Sequence, residues 1–445
     1  MRFTERVPRE KFERPPLAVV PQYFGCTVFD RRTSRYLPFD QDTTRLLTDL
    51  IDQPFPSIRS EWAQREPSEL VGALDRFFDH FDELGFFTLD QRLAGELLDV
   101  EPHPEHLTGP LAVHLEIVAS CNLTCTHCFA GDLPRRERRL TLDELDRLFA
   151  DMAAVGAFRL GLTGGEPLLR KDLFDIIDLA TGHGLHPCVT TNGLLIDKDV
   201  ARAFGERDLV WLNVSLEGAT AESNDRVRGA GTFERVLDRL AVLREHARFT
   251  LAFTIMSTNA GEVEECAALA ERVGASTAVF RPLYPAGTAL GHLDLMPTYD
   301  QYTEALDRLA GAAPVLRHID PFSPRLREER QSVVHQNLGC GAGNLVCSIS
   351  VSGEINPCSF LGSAYVAGNI REHRLADLWH RSEGFTSIRT LPGGTCGEAD
   401  GFSGGCRARA LAFNGSIDAA DPWLAAPQRR HPLLTLYVIG DDRHG

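Results

Sequence analysis

Residues 112–131 read AVHLEIVASCNLTCTHCFAG. The first seven, AVHLEIV, are an apolar run of strand length with β-branched residues. A loop follows that carries Cys121, Cys125 and Cys128 in the spacing C-x3-C-x2-C. Three thiolates this close in sequence can fold around one metal centre. On a four-iron cube, three protein ligands leave one iron open to bind a further molecule. Spacing alone also leaves a structural zinc site open. Zinc would want a fourth local Cys or His, and His127, lying between two of the ligands, would be badly aimed.

Working outward, the strand-then-helix theme repeats. AVHLEIV precedes TLDELDRLFADMAAVG; FRLGLTGG precedes KDLFDIIDLATGHG; PCVTTNG precedes IDKDVARAFGE. LVWLNVSLEG precedes TFERVLDRLAVLREH, FTLAFTIMS precedes AGEVEECAALAERVG, and TAVFRPL precedes a helix near 299–310. Thr141 and Glu144 form a capping box for the first helix. Six such units predict an α/β fold with a parallel sheet and outer helices, either a partial barrel or an open sheet. Chemistry in such folds sits at the C-terminal ends of the strands.

Short motifs fall at those ends. Gly164, Gly165, Glu166 and Pro167 close the second strand. Thr191–Asn192–Gly193 closes the third. NVSLEG, with Ser215 and Glu217, closes the fourth, and SNDRVRG, with Arg226 and Arg228, follows it. In this order, after the cysteine triad, they resemble the radical S-adenosylmethionine (SAM) superfamily. The resemblance implies a partial (β/α)6 barrel over residues 112–320. It also implies a [4Fe–4S] cluster on Cys121, Cys125 and Cys128 whose open iron binds SAM. GGEP would contact the SAM amino group, since glycines permit close backbone approach and a carboxylate pairs with an ammonium. Thr191 and Asn192 match the family's TNG. Ser215 and Glu217 belong to the region that meets the ribose, Arg228 lies in the following stretch that also resembles the family's cofactor-binding part, and Phe129 is placed to pack on the adenine.

A second cysteine group lies in GCGAGNLVCSISVSGEINPCSF, with Cys340, Cys347 and Cys358. Cys340 to Cys358 reads C-x12-G-x4-C, which resembles the SPASM extension of radical SAM enzymes. That family continues C-x2-C-x5-C-x3-C. Here Cys396 and Cys406 fit the second and fourth places, while Gly393 and Phe402 stand in the first and third and cannot ligate. The expectation is a truncated SPASM domain over residues 321–425, with one auxiliary [4Fe–4S] cluster on Cys340, Cys347, Cys358 and Cys406. Four cysteines would also suit zinc. Cys26, Cys188 and Cys266 read as ordinary buried thiols.

Residues 1–98 read as a small hairpin-plus-helices module. AVVPQYFGCTVFDRRTSRYLPFD gives short strands around the turn Asp30–Arg31–Arg32, and two helical stretches follow. The proline-bearing EPHPEHLTGP is the linker. The module resembles the PqqD-like, winged-helix-like elements that capture a leader peptide by strand addition. The C-terminal stretch is similar to mycofactocin-type maturases, which keep the far cluster. Together these imply a maturase of ribosomally made peptides, with a precursor peptide and an electron donor such as flavodoxin or ferredoxin as partners. A radical SAM enzyme acting on a sugar or tetrapyrrole is the alternative. A noncatalytic iron–sulfur or zinc scaffold is a further one, but a scaffold needs no GGEP or TNG.

The formal net charge of −16 disfavours nucleic acid as a partner. No apolar run approaches the roughly 20 residues that cross a bilayer. MRFTERVPREKFERPP has no apolar core of the kind a signal peptide needs. A cytoplasmic enzyme with no membrane partner is expected.

Overall fold

The computed structural model describes residues 14–131, 138–311, 315–317, 340–391, 405–425 and 437–440. The chain forms two compact units that divide between Thr108 and Gly109.

In the first unit the strands β1 (Leu17–Gln22), β2 (Gly25–Asp30) and β3 (Arg35–Asp40) run as an antiparallel meander. The expected turn after Asp30 is the β2–β3 connection: the Asp30 carboxylate accepts the Arg32 N–H at 3.0 Å and the Thr33 hydroxyl at 2.9 Å. Gly25 begins β2 at φ +145°, where an added Cβ would lie 2.4 Å from the Phe39 carbonyl oxygen. No larger residue fits that approach. Asp40 caps α1 (Gln41–Asp52) by accepting the Thr43 N–H at 2.8 Å. α2 (Phe55–Arg65) and α3 (Ser68–Glu83) follow, and β4 (Gly95–Leu97) joins parallel to β1. The sheet order is β3-β2-β1-β4. Leu47, Leu50, Phe55, Phe78 and Phe81 of the helices cover Val19 and Val28 of the sheet. Among the described strands β3 pairs with β2 alone.

The second unit is built on six consecutive parallel strands: β5 (Ala112–Val118), β6 (Arg159–Gly164), β7 (His186–Thr191), β8 (Trp211–Ser215), β9 (Thr250–Ile255) and β10 (Thr277–Pro282). Six strands and their order follow the sequence expectation. The helices are α4 (Leu142–Ala154), α5 (Leu173–Gly182), α6 (Lys198–Gly205), α7 (Ala221–Arg228), α8 (Thr232–Leu243), α9 (Val263–Val273) and α10 (Tyr299–Gly311). The capping box forms as read: Thr141 N–H donates to Glu144 at 2.8 Å and Glu144 N–H to the Thr141 hydroxyl at 3.3 Å.

Strand alternation divides the sheet into two faces. Leu115, Leu162 and Val189 lie in register on one face, Val214 and Leu251 pair on the same face, and all are fully buried. The other face lines the lumen with His114, Gly161 and Cys188 in register, with Thr190 paired to Asn213, and with Arg281 farther along β10. β5 and β10 do not pair with each other, so the barrel is partial. Beside β10 runs the antiparallel strand β15 (Tyr437–Gly440), with β11 (Val315–Arg317) beyond it. The tail thus packs back onto the sheet.

On the other flank β12 (Val346–Ile349) adds parallel to β5, and β13 (Glu354–Asn356) and β14 (Gly368–Asn369) continue antiparallel. These strands, within the segment read as a truncated SPASM domain, extend the barrel's own sheet. The segment goes on as α11 (Leu375–Arg381), α12 (Glu383–Arg389) and α13 (Arg407–Asn414). Arg371 Nε donates to Glu144 at 2.8 Å, joining this segment to α4. Among the described residues no helix is long and apolar enough to cross a membrane.

Candidate active site

The cysteine loop leaves the end of β5. Cys121 is exposed, and Cys125 and Cys128 are half-buried. The loop is tied down from three sides. Thr126 N–H donates to the Val227 carbonyl at 3.0 Å, Thr288 N–H to the Cys128 carbonyl at 2.9 Å, and Asn192 Nδ2 to Asn122 at 2.6 Å. The three thiols are close enough to act on one another: burial pushes Cys125 up to about 11, with Arg228 opposing and Cys128, Glu217 and Cys121 adding.

The glycine pair has a specific steric reason. A Cβ on Gly164 would lie 2.2 Å from the Val118 carbonyl oxygen, and one on Gly165 2.1 Å from that of Ser120. Gly165 N–H and Glu166 N–H donate to those same carbonyls at 2.6 and 2.9 Å. The backbone that these glycines admit is the end of β5, where the cysteine loop begins. Glu166 is fully buried, and Pro167 starts a short 3-10 turn behind it. Its carboxylate accepts the Thr191 hydroxyl at 2.6 Å, Asn192 N–H at 2.7 Å and Leu168 N–H at 3.1 Å. Burial raises its pKa against those three donors. The side chain visibly welds GGEP to TNG.

Glu217 is likewise buried. One oxygen takes His127 Nε2 and Arg228 Nη1, both at 3.2 Å, and the other takes Thr254 N–H at 2.7 Å. Burial pushes the carboxyl up, but His127, Arg228 and Thr254 outweigh it and leave it below its ordinary value. His127, weighed from sequence only as a zinc ligand, instead anchors the loop. Its Nδ1 and the Nε of Arg228 are buried with no protein partner. Ser215, at the end of β8, is half-buried. The Phe129 ring meets Phe360 edge-on at 5.5 Å, and Phe360 stacks on Tyr284 at 4.3 Å.

The second cysteine group is only partly gathered. Cys340, Cys358 and Cys406 pack against one apolar cluster with Ala342 and Leu361. Burial raises Cys358, and Cys340 and Cys406 raise it further. Cys347 is buried on β12; burial raises its thiol and Arg389 opposes. Cys396, Gly393 and Phe402 lie outside the described residues. Cys26 and Cys266 are buried thiols as read, but Cys188 is half-buried on the lumen face, 3.3 Å from Asn213 Nδ2.

A model of the radical SAM superfamily matches residues 115–270, and one of an iron–sulfur cluster-binding domain, SPASM, matches residues 340–401. Over 341 residues the chain is 32% identical to the mycofactocin maturase MftC of Mycobacterium tuberculosis, an alignment spanning 73% of this chain and 85% of that protein. The chain belongs to the radical SAM superfamily. An AdoMet-dependent heme synthase of Methanosarcina barkeri is 31% identical, over 71% of this chain and 96% of its own. In fold, this radical SAM chain matches the crystal structure of Streptococcus suis SuiB bound to precursor peptide SuiA. The TM-score is 0.66 at 14% identity, over 96% of this chain and 100% of that one.

The residues at the barrel mouth fit the family's cofactors. Cys121, Cys125 and Cys128 offer three accessible or half-accessible thiols at one strand end. Beside them the Nδ1 of His127 and the Nε of Arg228 stand without protein acceptors. This radical SAM enzyme uses SAM and [4Fe–4S] clusters. Cys121, Cys125 and Cys128 would hold the cluster, which when bound would supply one-electron reduction of SAM. The chain's own contribution is positional. Glu166 and the glycine pair fix the β6 and β7 ends against the loop, and Glu217 fixes the loop against α7.

Proposed function

We propose that this radical SAM enzyme matures a ribosomally made precursor peptide, taking a hydrogen atom from it with the 5′-deoxyadenosyl radical. The observation that carries the reading is a small sheet, backed by helices, ahead of the catalytic barrel in the chain, with β3 as its end strand among the described residues. A six-residue end strand is the element on which such modules add an extended peptide through main-chain hydrogen bonds. Pro38 on that strand lacks an N–H and suits an edge rather than a sheet interior. MftC is by name a maturase, and SuiB was crystallised with a precursor peptide. The similarity to heme synthases favours a tetrapyrrole as the second reading.

Phe129, Ser215, Thr191, Asn192 and Arg228 surround the SAM site in this reading. One auxiliary [4Fe–4S] cluster sits on Cys340, Cys358 and Cys406, with Cys347 as the fourth ligand. The electron comes from a cytoplasmic flavodoxin or ferredoxin. The test is incubation of reconstituted, reduced enzyme and SAM with the short peptide encoded beside its gene. A mass change in the peptide supports the reading. Conversion of a tetrapyrrole with no change in the peptide overturns it.

A further inference from the structure

The barrel lumen holds a cation that the SAM site does not use. Arg281 lies on the lumen face of β10, in register with Thr254. Its charge reaches His114 of β5, Cys188 of β7 and Tyr284 beyond β10. Groups on separate walls thus lie within electrostatic reach of one guanidinium. Among the described residues Arg281 makes no ion pair and no side-chain hydrogen bond, and it is exposed. Glu116, on the same face of β5, is buried.

Two of the groups within reach of Arg281, His114 and Cys188, are uncharged near neutral pH. Enclosure by protein, aided by Arg281, lowers His114 to about 4. Burial pushes Cys188 up to about 11. His114 Nδ1 shares a hydrogen bond with Ser359 Oγ at 3.3 Å. Its ring is seated over Gly161, where a Cβ would lie 3.3 Å from its Cδ2. Asn213 Nδ2 is spent on Cys188 and Thr190, both at 3.3 Å. Above them Tyr284, Phe360 and Phe129 form an aromatic wall. Among the described residues the lumen therefore combines polar groups, the unpaired guanidinium of Arg281 and an aromatic side.

We infer that Arg281, with His114 and Ser359 opposite, binds a carboxylate of the substrate inside the barrel and so sets which residue faces the SAM site. This rests on the peptide-maturase reading above. A guanidinium is a fixed fork that matches a carboxylate, and expelling water from the lumen on binding strengthens the pair. A peptide supplies that group from its C-terminus or from an Asp or Glu side chain.

The probes are N-acetyl-L-leucine (terminal carboxylate), N-acetyl-L-glutamic acid α-amide (side-chain carboxylate) and the neutral N-acetyl-L-leucinamide. Binding to the cluster-loaded enzyme is read by saturation-transfer NMR, with and without saturating SAM. At least one acid should bind about tenfold or more tighter than the amide, as a charge-assisted hydrogen bond gives. The tighter acid names the source. Arg281→Gln should erase the preference, and Arg281→Lys should restore part of it; iron content checks that each variant is folded. Equal binding of acids and amide to wild type overturns the inference, as does an unchanged preference in Arg281→Gln. Loss of acid binding when SAM is added also overturns it, because the site would then belong to SAM's own carboxylate. Release of 5′-deoxyadenosine by the same wild-type sample keeps this failure distinct from a failure of the radical SAM reading.

Discussion

The Thr191 hydroxyl donates to the Glu166 carboxylate at 2.6 Å inside a fully buried site. Two motifs 25 residues apart in sequence are thereby one structural unit across the ends of β6 and β7. Glu166→Ala would leave the Thr191 hydroxyl and the Asn192 and Leu168 N–H groups without their acceptor. Each orphaned buried group costs about 1–3 kcal/mol, less where water enters the gap. Urea unfolding should show a loss of about 3 kcal/mol, and equilibrium dialysis should show weaker SAM binding. Unaltered stability would mean that the weld is dispensable.

Glu144 gives a pH signature. The hydrogen bond from Arg371 leads the effects that hold its carboxyl at about 2, below the ordinary 4.5. A folded-state value below the unfolded one stabilises the fold above pH 4.5, and that gain is lost as the pH falls toward 2. Allowing for solvent screening, it amounts to about 1–2 kcal/mol. Wild type should exceed Glu144→Gln in urea midpoint at pH 6, with the gap closing toward pH 3, measured on cluster-free protein. A gap constant across that range would contradict the assignment.

Much of the barrel was legible because its signals are local. AVHLEIV is β5 residue for residue, and Thr141 and Glu144 cap α4 through a hydrogen-bonded box visible in four letters. The inward use of Glu166 was not legible. Its partners come from a different strand end, and a carboxylate reads the same whether it faces a ligand or a backbone N–H. His127 was set aside as a zinc ligand for the right reason, poor aim, but its aim at Glu217 needed the fold. Arg281 sits in a strand motif, TAVFRPL, that reads only as a strand. Nothing local shows that its face is the lumen. Cys347 was read as an auxiliary-cluster ligand from the SPASM resemblance, but that its strand pairs with β5 was not legible locally.

Asp421 should control the auxiliary cluster. It binds Arg409 through two hydrogen bonds of 2.8 and 2.6 Å, with both side chains 1% exposed, and accepts the Cys406 N–H at 2.6 Å. Removing one partner of a buried pair costs about 3–5 kcal/mol. With Gly393 and Phe402 in ligand places, wild type should hold two cubes and about eight irons. Asp421→Ala should retain about four of those irons, with the SAM-dependent cluster signal intact. A wild-type content near that of three cubes would show a further cluster and contradict the ligand count.

The first unit should govern substrate capture rather than SAM chemistry. Deleting residues 1–98 should leave uncoupled SAM cleavage in place. At limiting concentration, turnover of the precursor should fall about tenfold or more, as the local-concentration gain of a linked binding module is lost. Undiminished turnover by a folded truncation would reassign the β3 edge to a structural role.

Release of 5′-deoxyadenosine is the most direct measure of the central claim. Anaerobically reconstituted, dithionite-reduced protein is incubated with SAM, and the product is quantified by liquid chromatography. Wild type should release 5′-deoxyadenosine, and the variant with Cys121, Cys125 and Cys128 all replaced by Ala should release none. Release by that triple variant, or none from iron-loaded wild type, would contradict radical SAM chemistry at this loop.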